Sequence, residues 1–189
     1  MSRYYIDPRK NELKLRPAEL KKKIEEMQEI IWKLTYIRSR GRIDLKFAVG
    51  KLARLVLYPH QKVITAAHKL LQYVYNTRDM SLTFTRDEEM NKLVNITIIS
   101  NASLATEYDL KSRGGALIWI GRNLFHGFSK KLSFVCESSA EAELDAINTA
   151  EKLGLLLKLK LLKITNNNIE VKRKLIADSK PAMVKSRLY

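Results

Sequence analysis

Three side chains with oxygen atoms to offer stand where regular structure begins or ends. Asn101 falls near the close of the apolar run 94–103, Glu143 lies inside a helix-forming stretch, and Asp178 ends the run 169–178 ahead of Ser179, Lys180 and Pro181. Carboxylate oxygens accept hydrogen bonds or hold a hard cation, whereas an amide offers one neutral carbonyl oxygen for the same purpose. By residue type alone, Glu143 reads as an exposed helix acid. Asp178 reads as a helix N-cap, because a carboxylate there satisfies N–H groups that have no partner in the first turn. Glu107 and Asp109 read as loop charges, and Lys130 with Lys131 as a solvated pair. His60, His68 and His126 lie far apart with no carboxylate at a ligand spacing, so each reads as a satisfied or exposed histidine rather than a zinc ligand. Cys136 is the single cysteine, which excludes an intramolecular disulfide and a cysteine-based metal site.

Charge points to a class of partner. The chain carries 35 Lys and Arg against 20 Asp and Glu, a formal charge of +15. The excess is uneven: +8 over residues 1–60, zero over 61–153 and +7 over 154–189. Basic ends around a neutral middle suit a polyanion, since Lys and Arg that contact phosphates release condensed counterions. Solubility alone is the competing explanation of such a charge. The N-terminal residues have charge but no apolar run behind it, so they do not read as a signal peptide. The most apolar stretch, 153–164, is interrupted by Lys158, Lys160 and Lys163 and is too short to span a bilayer. With one cysteine, the chain reads as soluble and intracellular, in cytoplasm or nucleus, with no membrane partner.

The elements that must carry these residues change character along the chain. After a tail over 1–16, Pro17 suits a helix's first turn, and Leu20, Ile24, Met27, Ile31 and Leu34 recur at helical spacing. A second helix is predicted over 43–58 on Leu45, Val49, Leu52 and Val56, and a third beyond Pro59 on Val63, Ala67, Leu70, Leu71 and Val74. These stripes most simply pack on one another. From Ser81 the pattern becomes extended. Ser81–Phe84 is a short strand candidate, 93–100 is apolar enough for the middle of a sheet, and 114–121, 123–129 and 131–136 complete an antiparallel meander. Ser138 or Ser139 can cap a long helix with Glu141 near its positive end. A strand over 169–178 and a last helix from Ser179 follow.

This order, with acids at its strand ends, resembles the ribonuclease H end of Ty/copia-class LTR-retrotransposon polyproteins together with the helical connection from the reverse transcriptase. The likeness runs from about Lys23 to Lys185. Its pieces are EEMQEIIWKLTYI, RIDLKFAVGKLARLVLYP, HKLLQYVYNTRDMSLTF, IISNASLA, KSRGGALIWIGRNLFHGFSKKLSFVCESSAEAELDAI and IADSK.

The resemblance implies an α/β chain: a helical connection segment over 17–80, then a ribonuclease H-like mixed sheet with flanking helices over 81–189 that is short at its C-terminus. It implies cleavage of the RNA strand of an RNA–DNA hybrid by two Mg²⁺ ions held by four carboxylates. Asn101 stands at the first position, Glu143 rather than Glu141 at the second, and Asp178 at the third; the fourth is expected beyond Tyr189. Glu143 and Asp178 are thus the implied metal ligands, and Asn101 lacks the charge and second oxygen that bridge two metals. Lys130, Lys131 and Lys180 are the implied nucleic-acid contacts. Three function classes remain open: a catalytically impaired domain that binds RNA–DNA hybrid or duplex, an active hybrid nuclease, and a protein-interaction module built on the helical segment.

Overall fold

Pro17 opens helix α1 (Pro17–Ser39) at a position where its missing N–H is not needed. The computed structural model describes residues 16–86 and 92–177, which fall into two compact units divided between Leu82 and Thr83.

In the first unit α1 buries Met27, Ile30 and Leu34. Gly41, at φ +116°, makes the turn that follows. The sequence pattern predicts one helix over 43–58, but the structure breaks it into a 3₁₀ turn at Ile43–Leu45, α2 (Lys46–Leu52) and a second 3₁₀ turn at Ala53–Leu55. In so short a segment every residue lies near an end, where tighter turns satisfy groups with no helical partner. Helix α3 (Gln61–Asn76) is capped by His60, whose Nδ1 accepts the Lys62 N–H at 3.2 Å. Its Val63, Ile64 and Ala67 close a core with Leu45, Val49, Leu52 and the buried face of α1. Burying each large aliphatic side chain contributes about 1.5–3 kcal/mol. Arg42 ties the turn after α1 to the end of α3, bonding Asp44 and both the carbonyl and hydroxyl of Thr77.

The second unit is mixed α/β, with a four-stranded mixed sheet, and this architecture is compatible with a ribonuclease H-like fold. The strands are β1 (Leu93–Ser103), β2 (Arg113–Ile120), β3 (Asn123–Lys131) and β4 (Glu170–Ala177), in the order β3-β2-β1-β4. β1 is central, antiparallel to β2 and parallel to β4. Helix α4 (Ser139–Ile164) lies across one face. Val94, Ile96, Ile98, Ala116, Ile118, Ala150 and Val171 form the core there.

Two strand expectations fail. Ser81–Phe84 is not extended into a strand; the Asn123 side chain instead accepts the Thr85 N–H at 2.8 Å and donates to the Thr85 carbonyl at 2.9 Å, doing a neighbouring strand's work. β3 stops at Lys131, and Leu132 and Cys136 turn inward against Ala142 rather than extending the meander. The helix expected from Ser179 lies outside the described residues. Among the described residues, no helix is long and apolar enough to cross a membrane.

Candidate functional site at the end of strand β1

The parity of β1 sorts its side chains into two sets. Val94, Ile96, Ile98 and Ser100 are buried, while Asn95, Ile99 and Asn101 are exposed. Ser100 is a hydroxyl among aliphatics, 2% exposed, and its Oγ has no hydrogen-bond partner among the described residues.

Close packing of helix on sheet sets where α4 begins. Ala102 pairs with Gly114 in the ladder, and a Cβ on Gly114 would lie 2.9 Å from the Cβ of Ala146. Only glycine admits the helix so near. Glu143, three residues before Ala146 and on the same side of the helix, is thereby delivered to the strand's end. Among the described residues, β4 pairs with β1 as far as Ser100 opposite Ala177. Two residues further on, the Ala102 N–H donates to Glu143 Oε1 at 2.8 Å.

The two acids of the helix start have separate surroundings. Glu143 is 6% exposed, not the solvated helix acid its type suggests. Glu141 is exposed; its Oε2 accepts the Glu137 N–H at 2.8 Å, and its own N–H donates to Ser138 Oγ at 3.2 Å. That is a reciprocal cap.

Thus Glu143 meets the backbone of the residue after Asn101. The Asn101 side chain belongs to the other, exposed set, opposite Gly115. Asp178 and Lys180 lie outside the described residues; the preceding Ala177 pairs with Ser100.

A charged network, not legible as such in the sequence, occupies the next row on the Asn101 side, where Ser103, Arg113 and Lys131 align. Arg113 is buried. Its Nε donates to Glu107 at 2.8 Å and its Nη1 to Ser129 Oγ at 2.9 Å. Glu107 is therefore no solvated loop charge: both partners of this ion pair have side chains 4% exposed. Asp109 is bound by Lys131, whose ammonium also stands 5.1 Å from the centre of the Tyr108 ring. Burial pushes the Asp109 carboxyl up, but the Lys131 hydrogen bond and charge outweigh it and hold the group below its usual range. Lys131 is consequently engaged, whereas its neighbour Lys130 is exposed. The signal for these pairs was the basic residue six or more positions beyond each acid, which only the loop's path brings into contact. His68 stands 3.2 Å from Glu26 and Cys136 is buried.

The chain is 32% identical over 93% of its length to the Transposon Ty1-ER2 Gag-Pol polyprotein of Saccharomyces cerevisiae. It is 31% identical over 93% to the Ty1-JR2 polyprotein and 31% over 89% to the Ty1-GR3 polyprotein of the same organism. Its homologues are Ty1 Gag-Pol polyproteins. The chain spans about a tenth of the length of these Ty1 relatives. No family profile matches it. No solved structure matches it.

Mg²⁺, implied by the Ty/copia likeness, requires several anionic oxygens around each ion. Among the described residues, no three metal-binding side chains come together. Among the described residues, the edge offers one carboxylate, with one oxygen accepting a backbone N–H, and one neutral amide. These alone do not make a site for two Mg²⁺ ions, and Asp178, the third implied ligand, lies outside the described residues.

Proposed function

We propose that the second unit is a ribonuclease H-like domain of retrotransposon type that binds RNA–DNA hybrid and is catalytically impaired. The observation that carries the reading is the Glu143 carboxylate: a buried acid, brought by close helix–sheet packing to the residue that follows Asn101. An acid is costly to bury, and Ala102 requires only a neutral acceptor. Its place at the end of the strand that carries Asn101 supports a former cation-binding edge from which one charge has been lost. In this reading Asn101, Glu143 and Asp178 are the remnant of the catalytic set. Lys130 and Lys180 meet the phosphate backbone, with Lys131 bracing the loop next to Lys130.

Binding and cleavage separate cleanly here. Binding draws on cations and should persist; cleavage needs the missing charge. The test compares this chain with Asn101→Asp for anisotropy of a labelled RNA–DNA hybrid and for cleavage in Mg²⁺ and in Mn²⁺. Expected are hybrid binding by both, negligible cleavage by the parent and partial cleavage by the variant. Parent turnover equal to that of Asn101→Asp would overturn the impaired reading, and absence of hybrid binding at low salt would overturn the domain's assigned substrate.

A further inference from the structure

Helix α4 has an outer face that hybrid binding at the sheet edge does not use. Its inner face packs on the sheet through Ala150, Leu153, Leu157 and Leu161. In the same half of the helix, however, Leu155 is 46% exposed, Leu156 49% and Leu159 56%. Leu159 stands three and four residues beyond the other two, so the three share one side, along about 6 Å of the helix axis. A helix that is apolar on every side is one that other elements cover; this half is covered on one side. Beside Leu156, a cleft of about 200 Å³ lies between helix and sheet, lined by Leu153 and Leu157 from α4, Ile118 and Phe125 from the strands, and Lys160. A cavity of about 150 Å³ holds benzene, so this cleft admits one large apolar side chain.

Charge around the stripe has one sign. From Lys152 to Ile164 the helix holds four lysines and no acid. Lys152, Lys160 and Lys163 are exposed, and none of them has a hydrogen bond or ion pair among the described residues. The preceding acid, Glu151, is taken up by Arg173 at 2.6 Å. A lysine in the last turn offsets the helix dipole, which accounts for Lys163. It does not account for Lys152, about three turns earlier.

We propose that the outer face of the C-terminal half of α4 docks an acidic amphipathic helix of a protein partner. The partner's apolar side chains cover Leu155, Leu156 and Leu159, one of them enters the cleft, and its carboxylates meet Lys152, Lys160 and Lys163. Charge complementarity selects this occupant. A second copy of the chain would bring the same lysines against one another, and like charges in apposition oppose association. A nucleic acid would satisfy the lysines, but its phosphates and sugars give the aliphatic stripe nothing to bury against. A bilayer surface is flat and would leave the cleft unfilled. An amphipathic helix supplies both parts at once, with anchors at helical spacing for the leucines and acids on its flanks. The surface stands apart from hybrid binding at the sheet edge, and the two can fail separately.

The test uses the full chain and a fluorescein-labelled peptide of leucine, glutamate and alanine, with leucines at helical spacing on one face, beside a scrambled peptide of the same composition. The amphipathic peptide should bind at least about tenfold more tightly than the scrambled one, since only it presents the leucines together. Leu156→Asp and Leu159→Asp should each weaken that binding by about tenfold or more, and Lys152→Glu and Lys163→Glu by about threefold each. Leu159 faces solvent, so the thermal melt of Leu159→Asp should match the parent's. Affinity for RNA–DNA hybrid should be the same in both leucine variants as in the parent. No affinity for the amphipathic peptide, equal affinity for the scrambled one, or unchanged affinity in the leucine variants would overturn the proposal. So would a dimer in sedimentation, or binding to phosphatidylserine vesicles, that Leu156→Asp and Leu159→Asp abolish, because the face would then belong to a second copy or to a membrane. A parallel loss of hybrid affinity in those variants would overturn it too, by making the face part of the hybrid site.

Discussion

Glu143 and Ala102, 41 residues apart in sequence, are joined by a single hydrogen bond from a strand N–H to a buried helix carboxylate at 2.8 Å. The bond fixes where α4 starts against β1, and it makes the acid's two roles separable. As an acceptor it is structural; in the proposed reading its charge serves a cation. Glu143→Ala should orphan the Ala102 N–H and cost about 1–3 kcal/mol for that donor alone. Glu143→Gln retains an acceptor oxygen and should cost less in urea denaturation. In an Asn101→Asp background, however, Glu143→Gln should remove whatever cleavage the aspartate restores. Equal cleavage with Gln and Glu at this position would confine Glu143 to a structural part.

Much of this arrangement can be read from residue pattern, and the exceptions have physical causes. The run 93–100 is apolar enough to mark β1 as the sheet's middle strand, and the helical stripes mark the core positions Leu34, Val49 and Ala67. Helix geometry separates Glu141 from Glu143, because residues two apart project from different sides. Periodicity says nothing of Glu107, whose burial depends on a loop path that returns it to Arg113. Nor does it reveal that Thr85 is tethered by the Asn123 side chain rather than by a strand ladder. Asn101 shows the limit most plainly: its type is legible, yet its place on the exposed set of β1 follows from which face α4 covers.

Lys130 and Lys131 are adjacent in sequence but should answer differently to mutation. Lys130 is exposed, so Lys130→Glu should leave stability nearly unchanged. It should weaken hybrid binding and reduce the slope of log affinity against log salt by about one phosphate's worth, roughly 0.9 on a duplex. Lys131 is committed to Asp109 and Tyr108, and Lys131→Ala should loosen the loop over 104–111, seen as faster amide exchange there. Identical effects of both changes on binding, with no change in exchange, would contradict the distinction.

The Glu107–Arg113 pair should be more costly to break than to replace. Both side chains are 4% exposed, so Arg113→Met takes the guanidinium from a carboxylate in a poorly solvated place, at a cost of about 3–5 kcal/mol. Exchanging both, as Arg113→Met with Glu107→Leu, should recover most of that loss, because buried pairs repay little more than their own desolvation. A double-mutant cycle by chemical denaturation measures the difference. Additive losses would mean that the bond to Ser129, rather than the ion pair, is what Arg113 contributes.

Acid should act on the helical unit through Asp44. Its carboxyl is held below the ordinary carboxylate range, chiefly by the Arg42 hydrogen bond, with the Tyr73 hydroxyl donating at 3.0 Å as a further cause. A carboxyl depressed in the folded state binds its proton more weakly there than in the unfolded chain. The stability it contributes is therefore fully present above the ordinary carboxylate range and drains away as pH falls through the folded value. Asp44→Asn should flatten this part of the acid-side slope, while at neutral pH it weakens the tie between the turn after α1 and Thr77. Thermal melts monitored by circular dichroism between about pH 7 and pH 3 would show a smaller drop in melting temperature for Asp44→Asn than for the parent. Parallel curves would mean that the Arg42–Asp44 pair is as well solvated folded as unfolded and does not hold the unit's turn.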